Sequence, residues 1–244
     1  MKIWNQNSKN KNSAIDHFLS SEDIALDQEL FLYDIEASIA HAHELQSINI
    51  LNGTETKKII SCLKKLARLF QANKFKLTSK YEDCHSAIED FLIKELGSLG
   101  QKIHTGRSRN DQVMVAMRLY ARAQLDEIQS INLKVAQSFL SKADKHASDP
   151  MPGYTHLQRA MPSTWGLWFG AFAESFLDNA DLLLNVQSWM NINPLGSAAG
   201  YGVNLPLTRD ISTRELNFKR KQLNSLYVQN SRGKFELELI GSLK

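Results

Sequence analysis

The chain has 244 residues, of which 43% are hydrophobic, and its formal net charge is only +3. This hydrophobic content can fill a sizeable core, which excludes a disordered protein, and the charge is too small to indicate a nucleic-acid partner. No stretch approaches the ~18 apolar residues of a membrane span, and the polar N-terminus lacks the apolar core of a signal peptide. Cys62 and Cys84 are too few for a disulfide framework. We therefore expect a protein of the reducing cytoplasm that contacts neither nucleic acid nor membranes.

Long runs without glycine or proline predict the helices. The first indicated helix begins near Thr54 and has one apolar face, formed by Ile59, Leu63, Leu66 and Phe70. A run of 43 residues over positions 107–149 has the length of a helix of roughly 65 Å. A further helix, predicted from residue 171, is apolar on more than one side, which is typical of a helix inside a bundle.

The same pattern predicts the fold class and the domains. Strand signals are weak, because alternating β-branched runs between turn residues are hardly present. We predict an all-α fold with a small helical domain over residues 1–103, followed by a bundle of long helices over residues 104–244. We expect this bundle to be incomplete at its C-terminal end, so that other chains cover its apolar faces or those faces stay exposed.

Two polar segments lie at predicted helix starts. In residues 82–89, Asp83 and His85 have metal-ligating groups, but two ligands are too few for a zinc site, so we expect a helix cap or a substrate-positioning role. In residues 104–112, a glycine turn leads into the long helix and brings backbone N–H groups together with Arg107 and Arg109. Such a place favours carboxylates. The alternative is an ordinary capped helix, with Ser108 or Asn110 as the cap and Asp111 in the first turn.

Two further segments contain proline or glycine clusters. Residues 150–162 contain three prolines and a glycine, which predict a rigid loop presenting Thr155, His156 and Gln158 for proton transfer. The alternative is a structural histidine with its hydrogen bonds satisfied. Residues 193–202 are rich in glycine but lack a nucleotide-binding pattern, so we predict a tight crossing between helices. We interpret the aromatic residues at 165, 168 and 169 as core.

Together these segments resemble the argininosuccinate lyase family of the aspartase/fumarase superfamily. Residues 104–112 (HTGRSRNDQ) match the first family signature, and residues 152–160 (PGYTHLQRA) match the second. Residues 82–85 (EDCH) are similar to its acidic segment, and residues 193–197 (NPLGS) to its glycine-rich turn. The order and separations of the segments also fit, and the resemblance covers nearly the whole chain but only the N-terminal half of the family's usual length.

The resemblance implies an L-aspartase/fumarase-like fold and the reversible elimination of argininosuccinate to fumarate and arginine, without a metal or an organic cofactor. His156 resembles the catalytic histidine, which transfers a proton or orients the group that does. Cationic and N–H donors would stabilise the carboxylate on which charge develops. The implied substrate-binding residues are Asn110, Thr155, Arg109, Gln112, Asp27, Asp83, His85 and Gln158.

The resemblance also implies a homotetramer whose active sites combine residues from several subunits. The family's mobile serine loop, and its later tyrosine, glutamine and lysine, have no counterpart here, so we expect this chain to supply only part of a site. One alternative is an inactive truncated relative with a structural or oligomerising role. Another is a related elimination, on fumarate-type or adenylosuccinate substrates, which the match over residues 104–112 disfavours and substrate competition would separate.

Overall fold

The computed structural model describes residues 22–243, which are mainly helical, as predicted. In chain order the helices are α1 (Asp23–Ser47), α2 (Gly53–Gln71), α3 (Cys84–Leu96), α4 (Ser98–Gln101), α5 (Arg109–Lys145), α6 (Trp165–Met190), α7 (Asp210–Glu215), α8 (Ser225–Asn230) and α9 (Lys234–Gly241), with a 3-10 turn at Lys102–His104. The strands are β1 (Pro150–Thr155), β2 (Gln158–Thr164), β3 (Ile192–Asn193) and β4 (Arg220–Lys221). No helix in the described range is long and apolar enough to cross a membrane.

The described residues form two compact units. Residues 22–121 and 191–232 make up the first unit, and residues 122–190 and 233–243 make up the second. The domain boundary at residues 103/104 stays a prediction.

Helices α1, α2 and α3 build the core of the first unit. Helix α2 begins with a capping box, in which the Asn52 side chain accepts hydrogen bonds from the backbone N–H groups of Thr54 and Glu55 and the Glu55 side chain accepts one from Asn52 N. The predicted start near Thr54 is thus confirmed. The apolar faces of the three helices meet in a core that contains Phe31, Ile35, Leu45, Ile59, Leu63, Leu66, Ile88 and Leu92.

The long helix is shorter than the run that predicted it. Helix α5 has 37 residues, Arg109–Lys145, and thus spans about 55 Å. It starts two residues after the run begins, because Ser108 lies just before its first turn and accepts a hydrogen bond from Asn110 N.

The predicted rigid loop at residues 150–162 was wrong: the second unit has an antiparallel hairpin there. Strands β1 and β2 pair from Pro150 opposite Thr164 to Thr155 opposite Gln158, and the register shifts at Gly153. Proline discouraged a strand prediction, but in a two-stranded ribbon each strand is an edge, so Pro152 and Pro162 can face each other without losing an internal ladder bond.

Helix α6 starts at Trp165, six residues before the predicted position. The prediction that the aromatic residues at this end are core was wrong for two of them, since Trp165 is 42% and Trp168 44% exposed. Phe169 is half-buried. Next along the helix, Phe172 stacks on Phe139 of α5, with ring centroids 5.2 Å apart. The second unit, described by itself, therefore has an apolar surface that its own helices leave uncovered.

The glycine-rich segment is a loop rather than a helix crossing, so that prediction was also wrong. Residues 193–202 follow β3, which pairs in parallel with β4. The buried Arg209 guanidinium fixes this loop by donating to the backbone carbonyls of Asn193, Leu195 and Gln222, at 2.7 to 2.8 Å. Arg209 lies only 14 residues after Leu195, but no motif indicated it.

Candidate active site

The Arg109 guanidinium lies at the start of α5 among acidic and amide groups. Its Nε is 3.2 Å from the Asp83 carboxylate, and its Nη1 is 3.3 Å from the Glu89 carboxylate. Nη1 also donates to Gln112 Oε1 at 3.2 Å. The Arg109 side chain remains 24% exposed, so a dissolved anion can reach a guanidinium whose orientation is already fixed.

The start of α5 uses part of its donors internally. Asp111 Oδ1 accepts from Ser108 N at 2.7 Å, while Oδ2 accepts from Gly196 N and Ala198 N at 2.8 and 2.9 Å. Burial raises the pKa of Asp111 although these backbone N–H groups act in the opposite direction. Ser108 and Asp111 therefore cap the helix. An anion at this helix start would be bound by side chains more than by free backbone N–H groups.

Asn110 presents its amide beside the same helix end. Its Oδ1 accepts a hydrogen bond from Arg232 Nη1 at 3.1 Å, and the side chain is half-buried. Arg232 was not found from the sequence, because nothing in its local pattern separates it from an ordinary surface arginine. The contact orients the Asn110 amide so that its NH2 group is available to an acceptor.

Asp27 and Asp83 meet at the start of α3. Asp27 Oδ2 accepts from Cys84 N at 2.8 Å, and burial raises the pKa of the Asp27 carboxyl. Asp83 caps the helix by accepting from Ser86 N at 2.6 Å while it also pairs with Arg109. The cap interpretation of Asp83 is therefore confirmed, whereas its substrate-positioning role stays a prediction.

A buried polar network lies behind Arg109. Asp34 Oδ2 is 2.7 Å from His85 Nδ1, and both Asp34 oxygens accept from Gln112 Nε2 at 3.0 Å. Burial alone would raise the pKa of Asp34, but the His85 charge and hydrogen bond outweigh it and the pKa is lowered. Burial alone would lower the pKa of His85, but Asp34 raises it. Each partner thus favours the charged form of the other.

Asp34 was missed in the sequence, although a signal was present. It lies three residues after Phe31 and four before Ser38, and it therefore falls on the buried face of α1 together with Ile35. A single carboxylate on an apolar helical face must find partners inside the protein. That pattern identifies a buried network, but it does not say which distant residues complete it.

The same place contains the ligand atoms of a possible cation site. Among residues 22–243, Asp34, Cys84 and His85 are buried, and their ligand atoms lie within 4.8 Å of one another. However, two ligands of a tetrahedral ion at about 2.0 to 2.3 Å must stand more than 3 Å apart, whereas Asp34 and His85 are 2.7 Å apart. Burial and the neighbouring carboxylates also raise the pKa of the Cys84 thiol, which disfavours a thiolate ligand. The arrangement fits a hydrogen-bonded network better than a metal centre.

The buried His41 is expected to make the stability of the fold sensitive to acid. It is fully buried, its Nε2 is 2.8 Å from the Thr105 carbonyl oxygen, and burial, with the nearby Arg107 charge, lowers its pKa to about 3. A histidine that is neutral when folded stabilises the fold above its ordinary pKa of 6.5, and this contribution is lost as the pH falls through the window from 6.5 toward 3. The slope reaches about 1.4 kcal/mol per pH unit.

We therefore expect the free energy of unfolding of the wild type to fall more steeply between pH 6.5 and 5 than that of His41→Gln, whose amide can still donate to the Thr105 carbonyl. Urea unfolding followed by circular dichroism at several pH values measures both slopes. Equal slopes would show that His41 is protonated in the folded protein.

Thr155, His156 and Gln158 lie together at the tip of the hairpin in the second unit. All three are exposed, and no hydrogen bond to the His156 imidazole is found within the described residues. An exposed imidazole of this kind does not fit the alternative of a satisfied structural histidine. His156 and Leu157 form the two-residue turn with φ values of 51° and 62°, which a non-glycine residue adopts at a cost of about 1 kcal/mol or more.

The predicted residues are thus grouped within each unit. The first unit brings together Asp27, Asp83, His85, Arg109, Asn110 and Gln112, and the second brings together Thr155, His156 and Gln158. The sequence did not indicate Glu89 as a partner of Arg109. Glu89 also lies 2.9 Å from His104 Nδ1, and His104 and Arg109 lower its pKa against the effect of burial.

The chain is similar to known lyases over most of its length. The model of a lyase family matches residues 8–235. Argininosuccinate lyase of Stenotrophomonas maltophilia (strain R551-3) is 46% identical over 241 residues, which are 99% of this chain and 56% of that protein. The corresponding enzyme of Xanthomonas campestris pv. campestris (strain B100) is 47% identical with the same coverage. The chain therefore spans about half the length of these curated relatives.

A solved structure confirms the fold. The crystal structure of EDDS lyase in complex with formate has a TM-score of 0.80 and 28% identity, and the match covers 89% of this chain and 42% of that one. The all-α prediction is thus confirmed, with the short hairpin as an addition. Both the matched residues and the fold show that the chain belongs to the lyase family, within which it is similar to the argininosuccinate lyases.

Proposed function

We propose that this chain provides part of an argininosuccinate lyase, which converts argininosuccinate reversibly to fumarate and L-arginine. The observation that carries the proposal is the 46% identity to argininosuccinate lyase over 241 residues. The reaction removes a proton from the carbon beside a carboxylate, and the bond from the neighbouring carbon to the guanidinium nitrogen then breaks. The electron pair of the C–H bond becomes the double bond of fumarate, and the nitrogen leaves with the electron pair of the C–N bond and takes up a proton to give L-arginine.

The geometry of the first unit supports a carboxylate site. Arg109 is oriented and partly exposed, and the Asn110 amide stands next to it. These donors would bind a substrate carboxylate and stabilise the charge that develops on it. The solved EDDS lyase, described in complex with formate, binds a small carboxylate. Asp27 and Asp83 lie nearby and would serve the cationic arginine end of the substrate.

The hairpin supplies the proton-transfer group in this proposal. His156, at the exposed tip, would transfer a proton or orient the group that does, with Thr155 and Gln158 as substrate ligands. Gln112 and His85 would act from behind the carboxylate site. These roles are carried over from the family motif to the residues that match it.

We also propose a homotetramer in the cytoplasm. The exposed Trp165, Leu167 and Trp168 of the second unit form an apolar surface that another copy could cover. The two cysteines of the sequence are free and buried, which agrees with a reducing compartment.

The test is fumarate release from argininosuccinate, measured by ultraviolet absorbance, for the purified chain alone and for the chain mixed with the remaining portion of the Stenotrophomonas maltophilia relative. We expect turnover in the mixture, because that portion would provide the serine loop implied by the family resemblance. A control mixture contains the added portion without this chain.

The outcomes separate the alternatives. Absence of turnover in a mixture whose components are folded and associated would overturn the proposal in favour of an inactive relative with a structural role. Faster turnover of fumarate or adenylosuccinate than of argininosuccinate would favour a related elimination. Turnover by the chain alone would support the reaction and show that the serine loop is dispensable.

A further inference from the structure

A buried carboxylate connects three helices behind the candidate carboxylate site. Asp34 on α1 accepts from Gln112 Nε2 of α5 through both oxygens, and its Oδ2 lies 2.7 Å from His85 Nδ1 of α3. Asp34, His85 and Gln112 are at most 1% exposed, so water does not compete for these bonds. The position of each partner is therefore tied to the Asp34 carboxylate.

The charge of Asp34 determines which way the Gln112 carboxamide points. An ionised carboxylate only accepts hydrogen bonds, so Gln112 must turn its NH2 group toward Asp34 and its oxygen away. That oxygen accepts from Arg109 Nη1 at 3.2 Å. The opposite orientation would place an NH2 group against Nη1, and two donors would face each other.

We propose that Asp34 is a positioning residue for Arg109, and that it acts through the fixed carboxamide of Gln112. Asp83 and Glu89 hold the guanidinium from α3, at Nε and Nη1. Gln112 adds a contact from α5 that selects one orientation of the same group. The carboxylate ligand of Arg109 rests on the proposed function, whereas the positioning itself does not.

The ionisation of the network supports this inference. His85 and Gln112 together hold Asp34 in its charged form, and its pKa is below the ordinary value. Arg107 approaches from another side, where it donates from Nη1 to Ser38 Oγ at 2.8 Å. With His85 on one side and Arg107 on the other, both lowering its pKa, Asp34 keeps its acceptor-only state at neutral pH.

The Nε–H of Arg109, whose nitrogen is 3.2 Å from the Asp83 carboxylate, reports on the orientation of the guanidinium that Gln112 contacts at Nη1. In the full chain, with arginine labelled by a heavy nitrogen isotope, the Nε–H signal of Arg109 is assigned by its loss in Arg109→Lys. We expect this proton to exchange with solvent about tenfold faster in Asp34→Asn than in the wild type. Gln112→Met, which removes the intermediate amide at similar volume, should give the same change.

A matched control and a second variant make the result decisive. Asp90→Asn removes a half-buried carboxylate of the same unit that accepts from Tyr81 and Lys94, outside the network, and should leave the Arg109 signal unchanged. An unchanged Arg109 exchange rate in folded Asp34→Asn or Gln112→Met would overturn the proposal. If Asp34→Asn does not fold, Gln112→Met alone decides.

Kinetics in the reconstituted lyase described above give a second readout. Asp34→Asn should raise KM for argininosuccinate about tenfold with a smaller change in kcat, and in a Gln112→Met background the same substitution should change KM less than about twofold. Equal effects in both backgrounds would assign Asp34 a merely structural role. Faster Arg109 exchange without turnover in any mixture would uphold the positioning and overturn the proposed function.

Discussion

Replacing Asp111 by Asn is expected to lower the free energy of unfolding by about 2–3 kcal/mol. Asp111 accepts three backbone N–H groups, one from Ser108 through Oδ1 and two from Gly196 and Ala198 through Oδ2. An Asn side chain has a single acceptor oxygen. Whichever way its amide turns, an NH2 group faces at least one backbone donor, which loses its partner.

This cost exceeds the benefit of removing a buried charge. Burial raises the pKa of Asp111, so the neutral amide avoids some desolvation, but three donors were satisfied by the ionised form. Urea unfolding gives the change in stability, and amide hydrogen exchange should show lost protection at Gly196 and Ala198 or at Ser108.

The exposed helical residue Asp178 is the matched control. Asp178→Asn should change stability by less than about 0.5 kcal/mol. If Asp111→Asn is as stable as Asp178→Asn, the carboxylate does not hold the glycine-rich loop against α5.

Replacing His156 by Asn is expected to reduce kcat of the reconstituted lyase by about 10²–10⁴-fold, the range for loss of a proton-transfer group. Asparagine is the suitable replacement because it tolerates the left-handed backbone conformation found at this position, where φ is 51°. The hairpin should therefore keep its shape while the imidazole is removed.

His146→Asn provides the control in the same unit. The His146 imidazole bonds to Asp149 at 2.7 Å, outside the candidate site, so we expect nearly normal turnover from this variant. Thermal unfolding of both variants checks that the fold is retained. Nearly normal turnover of His156→Asn would show that another group transfers the proton.

The sequence identified the places where polar residues are dense. The glycine turn and the arginines at a helix start predicted a carboxylate site at Arg109, whereas the roles of Asn110 and Gln112 were implied by the family resemblance. Asp34 was not predicted because its place on the buried face of α1 indicates burial but not which residues it contacts. Its partner Gln112 is 78 positions away, and local patterns contain no information about such pairs.

The helices were predicted more reliably than the connections between them. Helical periodicity and runs without glycine or proline are local properties, so α2 and most of α5 and α6 followed from them. The hairpin depended on pairing between two proline-containing segments, and the loop at residues 193–202 depended on Arg209 and Asp111. These contacts are set by tertiary structure, which overrides local preference.

The left-handed turn at His156 and Leu157 exposes the His156 imidazole but lowers the stability of the hairpin. Leu157 is 99% exposed and has a φ of 62°, so no packing inside the described chain compensates for its backbone conformation. A selection for thermal stability alone would enrich Asn or Gly at this position, because they relax the turn. Persistence of leucine under a selection for turnover would then identify a use for that side chain outside the folded monomer. The hairpin tip is therefore the place where directed evolution for stability and for activity should diverge first.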